Sequence, residues 1–420
     1  MPIDYAKAGS EIALPNRTRQ RQWVLLWVFC SALGAAAAVF LWPTDKPAQG
    51  AHFWFAIVAA PQIVFALVLG WFRHSYESAH LAAHYHNQHR EEYLSGLISR
   101  SQVPLHIVAS SHCVPSPDLS LSQVLITGKS QMAARRVRHG ADLIRHSPLP
   151  EWDEELSESK QECADGALLD RFDVLLERLL APVLDALVAL RQHGGRYVPE
   201  IRLVDDSVAT AKNRLRQLRR VLDANGLDDL EADVVDAKNA RSLLLADKWL
   251  DREPSSPLLL VATQLHEFPP EESAEAGTAL LMVPESLALP GGVHSLGKLH
   301  RPVQCPLHAL KEGGAEALRA GSASPDEIKR LWIAGVDSAA DAAVAKGLAD
   351  AGLTQLSDPG RQHHLDRILG HAGVAAGWIA VCAAIESEDA GPQLVLSEGG
   401  DMQLAVVYSA ARKAESDVNV

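Results

Sequence analysis

The side chains best suited by type to do chemistry are few and scattered. Five cysteines, Cys30, Cys113, Cys163, Cys305 and Cys382, stand without C-x-x-C spacing, so neither a disulfide framework nor a zinc site is signalled. Their dispersal suits a reducing compartment. His371, between Gly370 and a run of Ala and Gly, can serve as a general base only beside a nucleophile. His74, His80, His84, His86 and His89 crowd one polar stretch, and His80 with His84 have the i, i+4 spacing of a helical metal pair. Two ligands are a weak pair, and a hydrated helix face accounts for them, so no metal and no cofactor is assigned. The string VLITGKS ends like a phosphate loop, but Gln123 stands where the leading glycine belongs. There is no G-x-S-x-G, while a dispersed Ser-His-Asp set stays open. Arg135, Arg136 and Arg138 form one basic cluster, and Arg214, Arg216, Arg219 and Arg220 another. Solvated faces are the simpler reading; the alternative is an anionic leaflet, where each basic residue contributes on the order of 1 kcal/mol. A net charge of −13 excludes general nucleic-acid wrapping, which needs clustered cationic excess.

Two uncharged runs precede all of this. Trp23–Trp42 spans roughly 30 Å as a helix at about 1.5 Å per residue, the thickness of a hydrocarbon core. Phe53–Phe72 repeats it, interrupted by Pro61 and Gln62, which a crossing helix tolerates as a kink. Trp23, Trp42, Trp54 and Trp71 sit near the ends, where indole favours the headgroup layer. A signal peptide fits poorly: the first run is too long and no cleavage site follows it. Arg17, Arg19 and Arg21 before the first run and Arg73 after the second, against Asp45 and Lys46 between them, predict that both termini lie in the cytoplasm.

With 420 residues and 47% hydrophobic composition, most of the chain is soluble. The domains expected are an N-terminal arm (1–22), a transmembrane hairpin (23–72), a helical stalk (73–103) and two α/β halves (104–285 and 286–420), with Ser286–Gly297 as the joint. PLHIVAS from Pro104 and QVLITG ending at Gly128 read as extended pieces, and the acidic stretch Glu151–Glu162 as a loop or helix start. A helix spans Leu168–Leu190 and stops at Gly194–Gly195. Then EIRLV, ADVV and PLLLVAT alternate with helical segments, GTALLMVPE adds a strand, and a helix opens at Ser324-Pro325-Asp326, followed by the alanine-rich SAADAAVAKGLADAG. The last segments are a Gly/Ala-rich helix and the strands PQLVLSE and MQLAVVYSA. Alternation of this kind predicts a parallel sheet covered by helices.

The text ILGHAGVAAGWIAVCAAIES, with Gly370, His371, Ala375, Ala376 and Gly377 in order, resembles the late motif of the β-ketoacyl synthases and their thiolase-like fold. The resemblance implies a layered α/β/α body in which small residues bring a buried helix close to the sheet and the histidine faces the active-site pocket. Three more stretches fall in the family's order: VVDAKNARSLLLADKWL at the nucleophile strand and helix, AEAGTALLMVPESLAL, and SPDEIKRLWIAGVDSAADAAVAKGLADAG around the second histidine.

Where the family has a thioester-attacking cysteine, this chain has Asp236-Ala237-Lys238-Asn239-Ala240. The second histidine is missing near Ala334–Gly335, and Asp366 and Arg367 stand where a lysine is expected. A vestigial Gly370–His371 motif with no catalytic residue is therefore the expectation: a membrane-anchored, inactive body that binds protein. The plan fits accessory and toxin-loading proteins of bacterial secretion machines, the type VI system in particular, with a secreted effector or machine component as partner. The resemblance also implies a homodimer through a sheet edge. The alternative is a membrane-bound acyl-thioester enzyme in which His371 works with a non-standard nucleophile such as Cys113 or Cys305.

Overall fold

The computed structural model describes residues 8–16, 20–43, 49–116, 120–136, 143–149, 171–206, 208–235, 242–252, 255–387 and 389–410. Arg17, Arg19, Asp45, Lys46, Arg138, Cys163, the Glu151–Glu162 stretch and Asp236–Ala240 lie outside the described residues. Two compact units appear, one over Asp4–Leu97 and the other over Ile98–Val420 with the first three residues.

The first unit is built on α1 (Gln20–Phe40) and the long helix α2 (Ala51–Ser101), both long and apolar enough to cross a membrane. Their outer faces leave Phe29, Leu33, Phe40, Leu67 and Trp71 exposed. Trp23 meets Phe72 at 5.7 Å and Trp42 meets Phe53 at 5.0 Å, so the helices run antiparallel with matched ends. Ahead of Pro61 the helix takes a π-helical turn at Phe55–Ala59 and continues through it to Ser101. Gln62 is no interruption. Its amide accepts from Trp27 Nε1 at 2.7 Å and donates to Ser31 Oγ at 2.9 Å, and Ser31 Oγ donates to the Trp27 carbonyl at 2.8 Å. Against an otherwise apolar helix pair this mutually satisfied triad fixes the hairpin register. A Cβ on Gly34 would lie 2.5 Å from Pro61 Cγ, which explains the glycine at the crossing. The N-terminal arm returns along α2: Asn87 pairs with both main-chain groups of Ile12 at 2.9 Å, and Arg90 donates to the Gly9 carbonyl at 3.0 Å.

The second unit opens with β1 (Leu105–Cys113), α3 (Leu121–Thr127) and the hairpin β2 (Ala133–Arg136) and β3 (Leu143–Ser147). It continues through α4 (Arg171–Arg191), β4 (Glu200–Val204), α5 (Val208–Ala224), β5 (Ala232–Val234), α6 (Leu244–Leu250), β6 (Leu258–Gln264), β7 (Ser273–Ala274) and β8 (Ala276–Pro284). The remainder comprises β9 (Gly297–Leu299), β10 (Val303–Cys305), α7 (Leu310–Ala320), β11 (Leu331–Ala334), α8 (Asp341–Asp350), β12 (Gln362–His364), α9 (Leu365–Ile368), α10 (Ala376–Glu386), β13 (Gly391–Glu398) and β14 (Met402–Ser409).

The main sheet runs β12-β11-β13-β14-β9-β1-β8-β6-β4-β5, with β10 also on β14. Numbered along the chain, β1, β4, β5, β6 and β8 lie in the order 3-2-4-5-1, with β8 antiparallel to its neighbours. The strands from β9 and β10 to β14 repeat that order, with β14 antiparallel. Short β9 pairs with both β1 and β14 and so joins the repeats. The sheet is therefore mixed rather than parallel, because each repeat closes with a hairpin or near-hairpin strand instead of a crossover.

Every residue of α10 from Ala376 to Ile385 is buried, the mark of a helix with protein on all sides. It packs on β11, β13 and β14 of one repeat and on β1 and β8 of the other. The opposite strand faces carry α4 and α5 on the first repeat, and α7 and α8 on the second. Gly377 permits the approach, since a Cβ there would stand 2.8 Å from Ser397 Oγ and 3.3 Å from Leu243 Cδ2.

Two local expectations fail. QVLITG is helix α3, not a strand: the Ser120 hydroxyl accepts from Gln123 N at its start and Gly128 ends it with φ 68°, and these caps outweigh the β-branched residues. Ser324 caps only a single 3₁₀ turn, Pro325–Glu327, because the chain must extend at once into β11. As a solvated helix face requires, Arg216, Arg219 and Arg220 of α5 are exposed, while Arg214 is half-buried against Asp205 at 2.7 Å and Arg220 reaches Asp173 at 3.6 Å. The central helix gives a direct test. Gly377→Val is expected to destabilise the protein by about 1–3 kcal/mol through overpacking, read by denaturant unfolding, whereas exposed Val188→Ala on α4 changes it little.

Candidate functional site

The turn between α9 and α10 holds Gly370 and His371. Gly370 has φ 101°, and a Cβ there would lie 2.7 Å from the Ser273 carbonyl oxygen, so the position demands glycine. The close approach stitches His371 to the β7 segment: its N–H donates to the Glu272 carbonyl at 2.7 Å and its carbonyl accepts from Ala274 N at 2.9 Å. Glu272 itself takes φ 58°, a costly conformation for a non-glycine residue. From below, Gln264 at the end of β6 accepts from Val374 N at 3.2 Å and donates to Asp206 at 2.8 Å, bracing the turn.

His371 lines a cavity of about 620 Å³. The other walls are Met132 and Arg145 from the β2–β3 hairpin, Glu272, the Gly335–Ser338 turn after β11, Asp366 and Arg367, and Glu398 and Gly400 from the β13–β14 turn. The place expected for a second histidine, Ala334–Gly335, thus does open into the cavity that holds His371, but it contributes Gly335, Val336, Asp337 and Ser338.

Asp366 organises the floor. Its side chain is 10% exposed, its Oδ2 accepts from Gly335 N at 2.5 Å, and its Oδ1 lies 3.1 Å from His371 Nδ1. The hydrogen bond and charge of Asp366, aided by Glu272 and Asp337, raise the His371 pKa above the usual imidazole value against partial burial. The carboxylate thus stands where the resemblance implied a lysine. Arg367 turns to Asp341 and Arg145 pairs with Glu272 at 3.6 Å. Ser338, the hydroxyl residue on the wall, donates to Asp337 at 3.3 Å.

No described cysteine lines this cavity. Cys113 lies on β1 and burial pushes its thiol up to about 11. Cys305 on β10 is likewise pushed to about 11, and Cys382, on the buried helix α10 with its sulfur 2.9 Å from Thr278 Oγ1, to about 12. A thioester-attacking cysteine needs the opposite shift. The segment aligned with the nucleophile, Asp236–Ala240, is outside the described residues; it follows β5, and just beyond it Leu243 N donates to Gln403 Oε1 at 2.7 Å.

Sequence reasoning singled out Gly370 and His371 but not the groups around the imidazole. Glu272, Arg145 and Asp337 come from three distant segments, and only the spacing of Asp366, five residues before His371 on a helical turn, could have suggested its pairing. Among the described residues no cluster of three or more metal-ligating side chains occurs, and His80 and His84 remain a pair on α2.

No protein-family model matches the sequence, and no curated protein does. The solved structures it is similar to are ketosynthases. The module 1 ketosynthase of the bacillaene synthase from Bacillus amyloliquefaciens FZB42 superposes with a TM-score of 0.55 at 12% identity, over 76% of this chain and 75% of that one. The module 6 ketosynthase of the bacillaene synthase from Bacillus subtilis 168 gives 0.54 at 12% identity, over 74% and 71%. The oxazolomycin ketosynthase domain OzmH KS8 of Streptomyces albus JA3453 gives 0.50 at 18%, over 76% and 98%. At such identities the likeness is one of fold.

The Asp366–His371 pair has a titration signature. A pKa raised by folding stabilises the protein fully below the unfolded value of about 6.5, and that contribution is lost as pH rises through the folded value. Asp366→Asn should move the His371 imidazole resonance back toward the ordinary midpoint in an NMR titration. It should also remove the corresponding loss of stability above pH 6.5. The body carries a thiolase-like, layered α/β fold of the ketosynthase type.

Proposed function

We propose that this chain is a membrane-anchored, catalytically inactive thiolase-like protein that works as a protein-binding adaptor or scaffold. One observation carries the reading: the cavity that holds His371, the residue matched to the family's late histidine, pairs that imidazole with Asp366 and has no described thiol on its walls. The sequence adds that no cysteine stands between Cys163 and Cys305, where the nucleophile segment lies. The two apolar helices, with large side chains exposed along their length and aromatic pairs at both ends, support anchoring in a bilayer. Arginine placement favours an inner membrane with termini and body in the cytoplasm. A tether of this kind raises the effective concentration of bound cargo at a membrane apparatus without requiring a tight interface. By analogy of plan, the setting proposed is effector delivery by type VI secretion, with an effector or machine component as partner, and self-association through a free sheet edge belongs to the same proposal.

A second reading has one observation in its favour. Asp366 and His371 form an orienting pair like that of a serine hydrolase, and Ser338 shares their cavity. The hydroxyl is engaged with Asp337, however, and the raised imidazole pKa disfavours the neutral base. Turnover decides between the readings. The full chain in nanodiscs should hydrolyse or condense acyl thioesters no faster than His371→Ala and Ser338→Ala variants, and affinity capture from its host should return secretion components. Turnover abolished by either substitution, or capture of acyl-carrier proteins alone, would reverse the assignment.

A further inference from the structure

β2 is the end strand of a separate three-stranded sheet, β2-β3-β7, that continues by a bridge from Ser273 to His371. All four of its residues are exposed. On its inner side it pairs with β3 from Ala133↔His146 to Arg136↔Leu143. Among the described residues, no main-chain hydrogen bond leaves its outer side. Such an edge is a template for a further strand, and proteins usually cover or shorten it. This one stands beside Met132 and Arg145 at the wall of the His371 cavity.

We infer that β2 is a strand-addition site for an extended, acidic segment of a partner protein. The inference rests on the adaptor reading and names where that adaptor binds. Successive side chains of a strand point to opposite faces, so Arg135 and Arg136 place one guanidinium on each face of the sheet. Directly opposite residues share a face, so Arg136 lies with Ala134, Leu143 and Arg145, and Leu143 is 67% exposed between the two arginines. An incoming strand would gain main-chain hydrogen bonds from β2 and a carboxylate opposite each arginine from two consecutive acidic residues. The charge is local, since the chain as a whole carries −13. It also selects the occupant. Pairing β2 with the same strand of a second copy would bring Arg135 and Arg136 of one beside those of the other, an arrangement that like charges oppose.

The test uses the full chain in nanodiscs of zwitterionic lipid and a capped, fluorescent hexapeptide, Thr-Val-Glu-Glu-Val-Thr. Binding by anisotropy is expected to be at least tenfold tighter than for the same peptide with two lysines at the centre. The double variant Arg135→Glu with Arg136→Glu should reverse that preference, and methylation of alternate peptide N–H groups should abolish binding. Three results would overturn the proposal: equal binding of acidic and basic peptides, indifference to N-methylation, or self-association of the chain that the double variant removes. Absence of peptide binding together with absence of thioester turnover withdraws the edge and leaves the adaptor reading in place. Turnover defeats that reading whatever the peptide does.

Discussion

The body is organised by the need to bury one helix from every side. α10 has no polar face to offer water, so strands from both repeats must close on it, and they can do so only where its residues are small. Gly377 against Ser397 is such a point, where a Cβ would come within 2.8 Å of Oγ. Larger members, Trp378, Ile379, Val381 and Ile385, each contribute roughly 1.5–3 kcal/mol of apolar burial. With the helix fixed, the turn that leads into it is fixed too. Gly370 is pressed onto the Ser273 carbonyl, His371 is laced to the β7 segment, and the imidazole is delivered to the junction of the two repeats.

What the imidazole meets there determines the chemistry. A buried carboxylate at 3.1 Å favours its protonated form, and the neighbouring turn supplies main-chain N–H and carboxylate groups instead of a second histidine. The described thiols of the body, Cys113, Cys305 and Cys382, lie away from the cavity and are made less acidic by burial. The result is a cavity of mixed charge, walled on one side by a hairpin whose outer strand has no further strand partner among the described residues. In the first unit the same economy holds: Gln62, Ser31 and Trp27 satisfy one another within an otherwise apolar hairpin.

Much of this was legible from residues alone, and the failures have causes. Long uncharged runs, the alternation from Glu200 onward and the small-residue helix are strong local signals, and all correspond to elements of the structure. Strand β11 was hidden because LWIA is four residues long and sits between a capping sequence and an alanine-rich helix, which together read as one helical region. β9 and β12 span three residues each, too few for periodicity to register, whereas β10 falls within PVQCPLHAL, where the alternation resumes. Strand direction is a property of pairing, not of any one segment, so the mixed sheet could not be read from alternation. The Asp366–His371 pair and the walls contributed by Arg145 and Glu272 depend on tertiary approach in the same way.

The central claim is that no residue of this chain attacks a thioester. Intact-mass spectrometry of the protein incubated with an acyl thioester tests it at the bond itself, because a nucleophile would retain the acyl group covalently. The account expects the unmodified mass, or at most slow adducts that persist in His371→Ala. A stoichiometric acyl adduct that forms rapidly and disappears with His371→Ala would contradict it.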